Sequence, residues 1–198
     1  MRILVIGATG TIGRAVAASL SQAGHEVIEA TSKSTPLKVD IANPASIQAM
    51  FARVGTVDAV VCAAGAARFK PFDQLTDDDY RFCLDNKLMG QANVVRLGFA
   101  HVKDGGSITV TSGVLAQSPM VGSGAISLVN AGLEGFVRAA ALEAPKGIRV
   151  NVVSPPWVTE TLIAYKMDPA HGTPAAEVAK AYVRSVTGKD NGATIPAR

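Results

Sequence analysis

The sequence predicts an α/β fold in which a doubly wound parallel sheet lies between two layers of helices. Two observations predict it: short β-branched runs alternate with longer helical segments, and several of the runs are apolar throughout. A strand that is apolar on both faces needs a helical layer on each side of the sheet. The chain has 198 residues, 48% of them hydrophobic, which suits one ordinary domain. We therefore assign residues 1–198 to a single three-layer domain.

Five parallel strands are predicted from the β-branched runs. Runs such as DAVVCAA and IRVNVV do not alternate between apolar and polar residues, as expected of strands that are buried on both faces. The predicted strands cover residues 3–6, 26–31, 58–63, 107–111 and 149–153.

Helical periodicity and capping residues predict the elements between the strands. An apolar residue at every fourth position predicts the first helix, and an asparagine-proline pair suits the N-terminus of the second. Three aspartates at positions 77–79 open the next helix, and we assign them to a solvated helix cap rather than to a metal site. The first helix is indicated by Ile12, Val16, Leu20 and Gly24, and the second begins at Asn43 and Pro44. Helical periodicity predicts further helices over residues 76–102 and 123–143, and a last amphipathic helix that ends at about Val186.

The charge and cysteine content argue against several classes of function. Charged residues make up 18% of the chain and the net charge is +3, without a run of Lys or Arg that follows a phosphate backbone, so we expect no nucleic-acid partner. Cys62 and Cys83 lie in apolar stretches without ligand-like spacing, so we expect neither a disulfide nor a metal site. The opening apolar run ends at Gly7, too early for a signal peptide or a membrane span, so we expect a soluble cytoplasmic protein.

A glycine-rich turn directly follows the first predicted strand. Gly7, Gly10 and Gly13 stand three residues apart, and a predicted helix begins within the turn. Glycines permit a tight turn and let backbone N–H groups approach a pyrophosphate, whose charge is favoured by the helix N-terminus. Strand, turn, helix and second strand follow in order, so the sequence predicts a Rossmann fold that binds a dinucleotide. The alternative is a tight strand-to-helix turn without a ligand.

The end of the second strand indicates which dinucleotide is bound. A carboxylate there accepts hydrogen bonds from a free ribose but repels a 2′-phosphate. The chain has Thr31, Ser32 and Lys33 at that point, two hydroxyls and a cation that suit a phosphate, and Arg14 follows the glycine turn. Glu29 lies two residues before the predicted strand end, and we assign it to the strand. NADP(H) is therefore favoured, and NAD(H) is the alternative.

These motifs resemble those of the short-chain dehydrogenase/reductase family over nearly the whole chain. Asp40 and Ile41 are similar to the acid-plus-aliphatic pair that the family places against the adenine, and residues 62–65 stand where it commonly has Asn-Asn-Ala-Gly. Pro155 and Val158 match the turn that seats its nicotinamide. The resemblance implies a cofactor site formed by Gly7, Thr9, Gly10, Thr11, Ile12, Gly13, Arg14, Thr31, Ser32, Lys33, Asp40, Ile41, Cys62, Ala63, Ala64, Gly65, Pro155, Val158 and Thr159.

The resemblance also implies catalytic residues. Ser112 matches the serine that hydrogen-bonds the substrate carbonyl, and Asn86, four residues before Gly90, matches the asparagine that holds a water of the proton relay. The family's active-site tyrosine and lysine are replaced, because alignment places Ile126 and Asn130 at those positions. Isoleucine has no titratable proton, so we expect an altered relay in which Asn86 or Asn130 holds a water that delivers the proton.

Three functions fit these residues. The first is NADP(H)-dependent hydride transfer to or from a small carbonyl or alcohol substrate, with Tyr165 as a replacement acid or, by the simpler interpretation, a lid aromatic. The second is a catalytically lapsed NADP(H)-binding sensor or regulatory partner, because every cofactor motif is retained. The third is a dehydratase or isomerase on the same scaffold. The prevalence of oxidoreductases in the family favours the first.

Two surfaces are predicted to make further contacts. Family members often pair through the helices predicted here over residues 76–102 and 123–143, so the resemblance implies a homo-oligomer, in the simplest case a dimer. The loop of residues 68–70, Arg-Phe-Lys, follows a strand at the sheet edge where this fold binds ligands, and it is a candidate contact for an anionic or aromatic substrate. The predicted helix over residues 123–143 has small residues that would let a partner helix approach closely, at Ala131, Gly132, Gly135 and Ala139.

Overall fold

A computed structural model describes residues 1–33 and 37–197 of the chain. In this part of the chain, six parallel strands form one sheet in the order β2-β1-β3-β4-β5-β6. The chain builds outward from β1 in both directions, so the sheet is doubly wound, and the predicted single Rossmann-type domain is confirmed. The strands are β1 (Arg2–Ile6), β2 (Glu26–Ala30), β3 (Val57–Cys62), β4 (Val102–Thr111), β5 (Arg149–Ser154) and β6 (Thr194–Pro196).

Helices connect the strands and cover both faces of the sheet. A π-helical segment, Leu84–Met89, joins the third helix directly to the fourth, and short 3₁₀ turns lie at Phe72–Gln74, Val114–Ala116, Pro145–Gly147 and Pro169–His171. The α-helices are α1 (Thr11–Gln22), α2 (Pro44–Val54), α3 (Asp77–Cys83), α4 (Gly90–Gly98), α5 (Gly124–Glu143), α6 (Thr159–Ala164) and α7 (Ala175–Thr187).

The sheet separates two apolar cores, as the uninterrupted hydrophobic runs of the strands predict. Alternate side chains of β1 enter opposite cores, Leu4 on one side and Val5 on the other. Helices α2, α4 and α5 close the first core, and α1 and α7 close the second. Because helices cover both faces of the sheet, a ligand can reach it only at the ends of the strands. In folds of this kind the ligand lies at the carboxyl ends, at the point where the winding reverses, which is here between β1 and β3.

The helix predicted over residues 76–102 is shorter than expected and is interrupted. Its last turn is at Gly98, which packs closely against Phe51 and Ile108, and Val102 already belongs to β4. The apolar run of α4 continues into that strand, so periodicity alone did not separate them. The short strand β6 was also missed, because three residues that include a proline carry little strand signal.

The acidic start of α3 is a helix cap, but one of its carboxylates is not solvated. Thr76 and Asp79 form a reciprocal capping box. Asp79 is buried and accepts a hydrogen bond from Lys70 Nζ at 2.8 Å. Hydrogen bonds from Lys70 and then from Thr76 lower the pKa of Asp79 to about 2. The aspartate therefore ties the loop before α3 to the helix, a tertiary role that the prediction of a solvated cap missed.

Helix α5 is long and apolar enough to cross a membrane by length and composition alone. The core helix of a soluble protein passes the same test, and the inner face of α5 packs on the sheet through buried residues such as Leu133 and Val137. Its outer face carries two exposed leucines, Leu128 at 49% and Leu142 at 88%, beside the charged Arg138 and Glu143.

Candidate functional site

A continuous cleft follows the carboxyl edge of the sheet. It has two lobes, which share Ala63, Ala64 and Gly65 as their common floor at the end of β3. The first lobe, the glycine-loop cleft, has a volume of about 480 Å³ and is bounded by the turns after β1 and β2. The second, the Ser112 cleft, has a volume of about 240 Å³ and is bounded by the loop after β4, by α5 and by the turn after β5.

The glycine turn is held by its own backbone. Gly7 has a φ of +86°, donates to Ala30 O at 2.8 Å and accepts from Gly10 N at 2.9 Å. A Cβ atom on Gly13 would lie only 2.0 Å from Gly7 O. The turn is thus closed so tightly on α1 that its third glycine has no room for a side chain, as a pyrophosphate-binding turn requires.

Most of the predicted cofactor residues line this cleft. The glycine-loop cleft is bounded by Gly7, Thr9, Gly10, Thr31, Ser32, Lys33, Asp40 and Ile41, together with Asn86. The Ser112 cleft is bounded by Ile12, Pro155 and Val158, and the floor residues line both lobes. The structure therefore brings together residues from six separate parts of the chain.

Five predicted cofactor residues do not line either lobe, and their cofactor contacts stay predictions. Gly13 acts through packing, and Cys62 is fully buried beneath the floor. Arg14 donates to Thr9 O at 3.2 Å and, with Thr11, lines a separate cavity. Thr159 packs against Gly172, and the neighbouring Thr161 lines the Ser112 cleft in its place.

The turn after β2 is ordered around Thr31. Its hydroxyl accepts a hydrogen bond from Lys33 N at 3.3 Å, and the side chain of Lys33 is exposed at the rim of the glycine-loop cleft. The carboxylate of Asp40, which lines the same lobe, accepts a hydrogen bond from Ala42 N at 3.0 Å within its own turn. The rim after β2 thus presents hydroxyls and a cation.

The Ser112 hydroxyl already has a partner. Ser112 Oγ donates to Glu134 Oε1 at 2.9 Å, and Glu134 also accepts a short hydrogen bond from Gln117 Nε2. Glu134 and Gln117 line another cavity, which does not include Ser112. The hydroxyl is 22 residues from its acceptor in sequence, a contact that no local pattern reveals. The predicted role of Ser112 toward a substrate carbonyl stays a prediction.

Both residues at the altered catalytic positions, Ile126 and Asn130, line the Ser112 cleft. Asn130 is 2% exposed, and its Nδ2 donates to Gly113 O at 3.3 Å. Its Oδ1 has no hydrogen-bond partner within the described part of the chain. A buried acceptor without a partner costs free energy, so this atom is suited to a donor on a ligand.

Asn86 and Lys87, on the π-helical segment, belong to different lobes of the cleft. Asn86 lines the glycine-loop cleft, and its Nδ2 donates to Phe82 O at 3.1 Å, so its predicted water-holding role stays a prediction. Lys87 lines the Ser112 cleft and donates from Nζ to Ser112 O at 3.0 Å. Sequence reasoning missed Lys87, because helical periodicity does not anticipate a π-turn, a feature frequent at functional sites.

The loop of residues 68–70 lines neither lobe of the cleft, and its two cations lie beside a carboxylate. Lys70 is paired with Asp79 at 2.8 Å, and Arg68 lies 3.7 Å from the same carboxylate. Phe69 makes a T-shaped contact with Trp157, which lines the Ser112 cleft, with ring centroids 6.1 Å apart. The loop therefore offers an aromatic surface beside the Ser112 cleft. Tyr165 is 69% exposed and does not line that cleft.

Comparison with known proteins finds a match over almost the whole chain. A family model described as enoyl-(acyl carrier protein) reductase matches residues 7–195. The hydroxynaphthalene reductase-like protein Arp2 of Metarhizium guizhouense is 27% identical over 176 residues, which cover 77% of this chain and 66% of that protein. The chain thus spans slightly less than two thirds of the length of such relatives.

Two solved structures are similar in fold. The protein lin1944 from Listeria innocua is 38% identical, with a TM-score of 0.95 over 100% of both chains. A small-chain dehydrogenase in complex with NADPH is 23% identical, with a TM-score of 0.86 over 99% of this chain and 95% of that one.

Proposed function

Because the chain belongs to the short-chain dehydrogenase/reductase family, we propose that it is an NADP(H)-dependent reductase of a small carbonyl compound. The continuous two-lobed cleft carries this proposal. One lobe has the glycine turn and the phosphate-compatible rim of a dinucleotide site, and the other is a smaller, mainly apolar cavity that joins it through a shared floor. Bound NADPH would supply the hydride for carbonyl reduction.

The residues present fit the cofactor. The amides of the glycine turn and the N-terminus of α1 would bind the pyrophosphate, and Asp40 and Ile41 would flank the adenine. Pro155 and Val158 would seat the nicotinamide in the Ser112 cleft. The unpartnered Asn130 Oδ1 supports this assignment, since it offers a buried acceptor for a hydroxyl or carboxamide donor of the nicotinamide nucleoside.

The rim after β2 supports a preference for NADP(H) over NAD(H). We expect Lys33→Glu to weaken NADPH binding by about 1–3 kcal/mol, because it replaces a charge-assisted hydrogen bond to the 2′-phosphate with repulsion. NADH binding should change little, since a free ribose carries no charge. Isothermal titration calorimetry of both cofactors measures the two effects.

Lys189→Glu is the matched control, because Lys189 is also exposed but lies outside both lobes of the cleft. It makes the same change in net charge. Equal losses of NADPH affinity in the two variants would show a long-range charge effect and contradict a phosphate contact at Lys33. NADH binding as tight as NADPH binding to the natural chain would overturn the preference itself.

The reductase proposal is tested by the oxidation of NADPH in the presence of a panel of aromatic ketones, aldehydes and quinones. The apolar lining of the Ser112 cleft by Leu115, Ile126 and Trp157, with Phe69 packed against Trp157, suits an aromatic or aliphatic carbonyl compound. We expect turnover with some members of the panel. NADPH binding without turnover on any of them would favour the sensor function, in which binding alone is used.

We also propose that the protein pairs through the outer face of α5. Leu128, Gly135 and Leu142 are spaced seven residues apart and form an apolar stripe, whereas Gly132 is turned inward against Leu88. Light scattering at tens of micromolar should give twice the chain mass, and Leu128→Glu with Leu142→Glu should give the monomer. A natural chain that is monomeric at that concentration contradicts the pairing.

A further inference from the structure

Lys87 is the titratable side chain of the Ser112 cleft. The other described residues that line this lobe are apolar, hydroxyl-bearing or glycine, apart from the Asn130 amide. Lys87 as a whole residue is half-buried, and its aliphatic stem lies against Gly65, where an added Cβ atom would come within 3.2 Å of Lys87 Cγ. The lack of a side chain at Gly65 therefore makes room for Lys87 beside the cleft floor.

The hydroxyl groups at the end of β4 are used elsewhere. Thr111 Oγ1 donates to Cys62 O at 2.7 Å and is 2.7 Å from Tyr182 Oη, and Ser112 Oγ donates to Glu134. Tyr182 is fully buried, and burial raises the pKa of its phenol. Neither hydroxyl nor the phenol is therefore placed to give a proton to a substrate in the cleft.

The Lys87 ammonium retains donors for a ligand. It donates to Ser112 O at 3.0 Å, which fixes Nζ beside the end of β4, and no ion pair to it occurs in the described part of the chain. An ammonium group has three N–H donors, so two are left for other partners. A cation that no carboxylate neutralises is suited to the oxygen of a polarised carbonyl group.

We propose that Lys87 is the proton donor of carbonyl reduction, in place of the tyrosine that the family places on α5. This inference rests on the proposed reductase function. As hydride reaches the carbonyl carbon from NADPH, a C–H bond forms and the C=O π bond breaks. The oxygen takes a proton from Nζ, which leaves an alcohol, NADP⁺ and a neutral Lys87 amine. Solvent then returns a proton to the amine.

The ionisation of Lys87 agrees with this role. Burial lowers the pKa of Lys87 to about 8, against the opposing effect of Cys62 on β3 and Cys83 on α3, the titratable groups that act on it. Burial also raises the pKa of Cys62 to about 12, so that thiol stays neutral near pH 8. A general acid acts best when its pKa is near the working pH.

Two substitutions separate proton donation from charge. Lys87→Met removes both, whereas Lys87→Arg keeps a cation with N–H donors that does not release a proton at working pH. We expect both variants to lose about a hundred- to ten-thousand-fold in kcat for NADPH-dependent reduction of the aromatic quinone or ketone that the natural chain turns over best. Both should keep the NADPH dissociation constant within a few-fold and retain a cooperative thermal transition.

The outcomes for the two variants are distinct. A Lys87→Arg variant that is nearly as active as the natural chain would show that only the charge matters and would overturn the proposal. Loss of NADPH binding in both variants would make Lys87 a cofactor ligand and would overturn it as well. A natural chain that does not bind NADPH, or oxidises it with no member of the panel, would instead refute the proposed reductase function.

A second measurement needs no variant and no turnover. Acetic anhydride acetylates only the neutral amine, so mass spectrometry of the Lys87 peptide against pH reports its ionisation. We expect a labelling midpoint near pH 8, compared with 10.5 for an ordinary lysine. A separate measurement, the pH profile of kcat in the natural chain, should show kcat falling through the same pH range, because the protonated form of Lys87 is lost as the pH rises. Labelling that begins only near pH 10 would overturn the proposal.

Discussion

Replacing Gly13 by alanine is expected to weaken dinucleotide binding severely, with an NADPH affinity lower by about a hundredfold. The added Cβ atom would lie 2.0 Å from Gly7 O and 2.7 Å from Gly7 C, both of which are backbone atoms. Gly7 is itself pinned by hydrogen bonds to Ala30 and Gly10, so the turn must open to admit the methyl group. Such an overpacked site costs about 1–3 kcal/mol, and opening the turn moves the amides away from the pyrophosphate.

Gly10→Ala adds a methyl group at another point of the same turn, on a residue that lines the glycine-loop cleft. A Cβ atom on Gly10 would meet only Gly7 O, at 3.3 Å, and its φ of −74° is accessible to alanine. Thermal melting should show a lower midpoint for Gly13→Ala and little change for Gly10→Ala, and calorimetry with NADPH should show weaker binding for both variants. Equal thermal midpoints for the two variants, or an NADPH affinity of Gly13→Ala that matches the natural chain, would contradict a cofactor site that depends on close contact between Gly7 and α1.

Moving the acid to α5 is expected to restore reduction in a chain that lacks Lys87. The Lys87→Met variant should lose about a hundred- to ten-thousand-fold in kcat, the usual contribution of general acid catalysis. Adding Ile126→Tyr and Asn130→Lys to that variant should recover a substantial part of the lost kcat. Residues 126 and 130 are one helical turn apart and both line the Ser112 cleft, so a phenol and an ammonium group would lie together there. The ammonium charge would lower the pKa of the phenol.

The Lys87→Met change is part of the design because Lys87 and a lysine at position 130 would otherwise repel each other in the same cleft. Lys87 contacts Ser112 O and Asn130 contacts the next carbonyl, Gly113 O, so a lysine at position 130 would lie close to Lys87. We therefore expect less activity from the double variant in the natural background than from the triple variant. Ile126→Phe with Asn130→Lys, again with Lys87→Met, lacks the phenol hydroxyl but keeps the new lysine, so the difference in kcat between the two triple variants measures the contribution of the phenol. Steady-state kinetics with NADPH and the best panel substrate makes the comparison. A folded triple variant that binds NADPH without any recovery would contradict the idea that only a proton donor was missing.

The fold was readily predicted because its signals are local. The apolar runs of the strands and the glycine turn each lie within a few residues, and the two-sided burial of the strands follows from composition alone. Residues that line the cleft were predicted where they lie on backbone turns, as at Gly7 and Lys33, and their contacts with a cofactor stay predictions. The site was missed where it depends on tertiary contacts: Lys87 faces the cleft through a π-helical segment, and Ser112 meets Glu134 across 22 residues. Resemblance directed attention to Asn86, one position away.

The shared floor of the cleft has a consequence for how such a protein diverges. Ala63, Ala64 and Gly65 line both lobes, so a larger side chain at any of them would disturb both binding partners at once. The outer walls are separate, with the turn after β2 bounding one lobe and α5 bounding the other. Descendants of this chain can therefore exchange one cofactor for another, or one substrate for another, by independent substitutions in the walls, while the three floor residues stay under a double constraint.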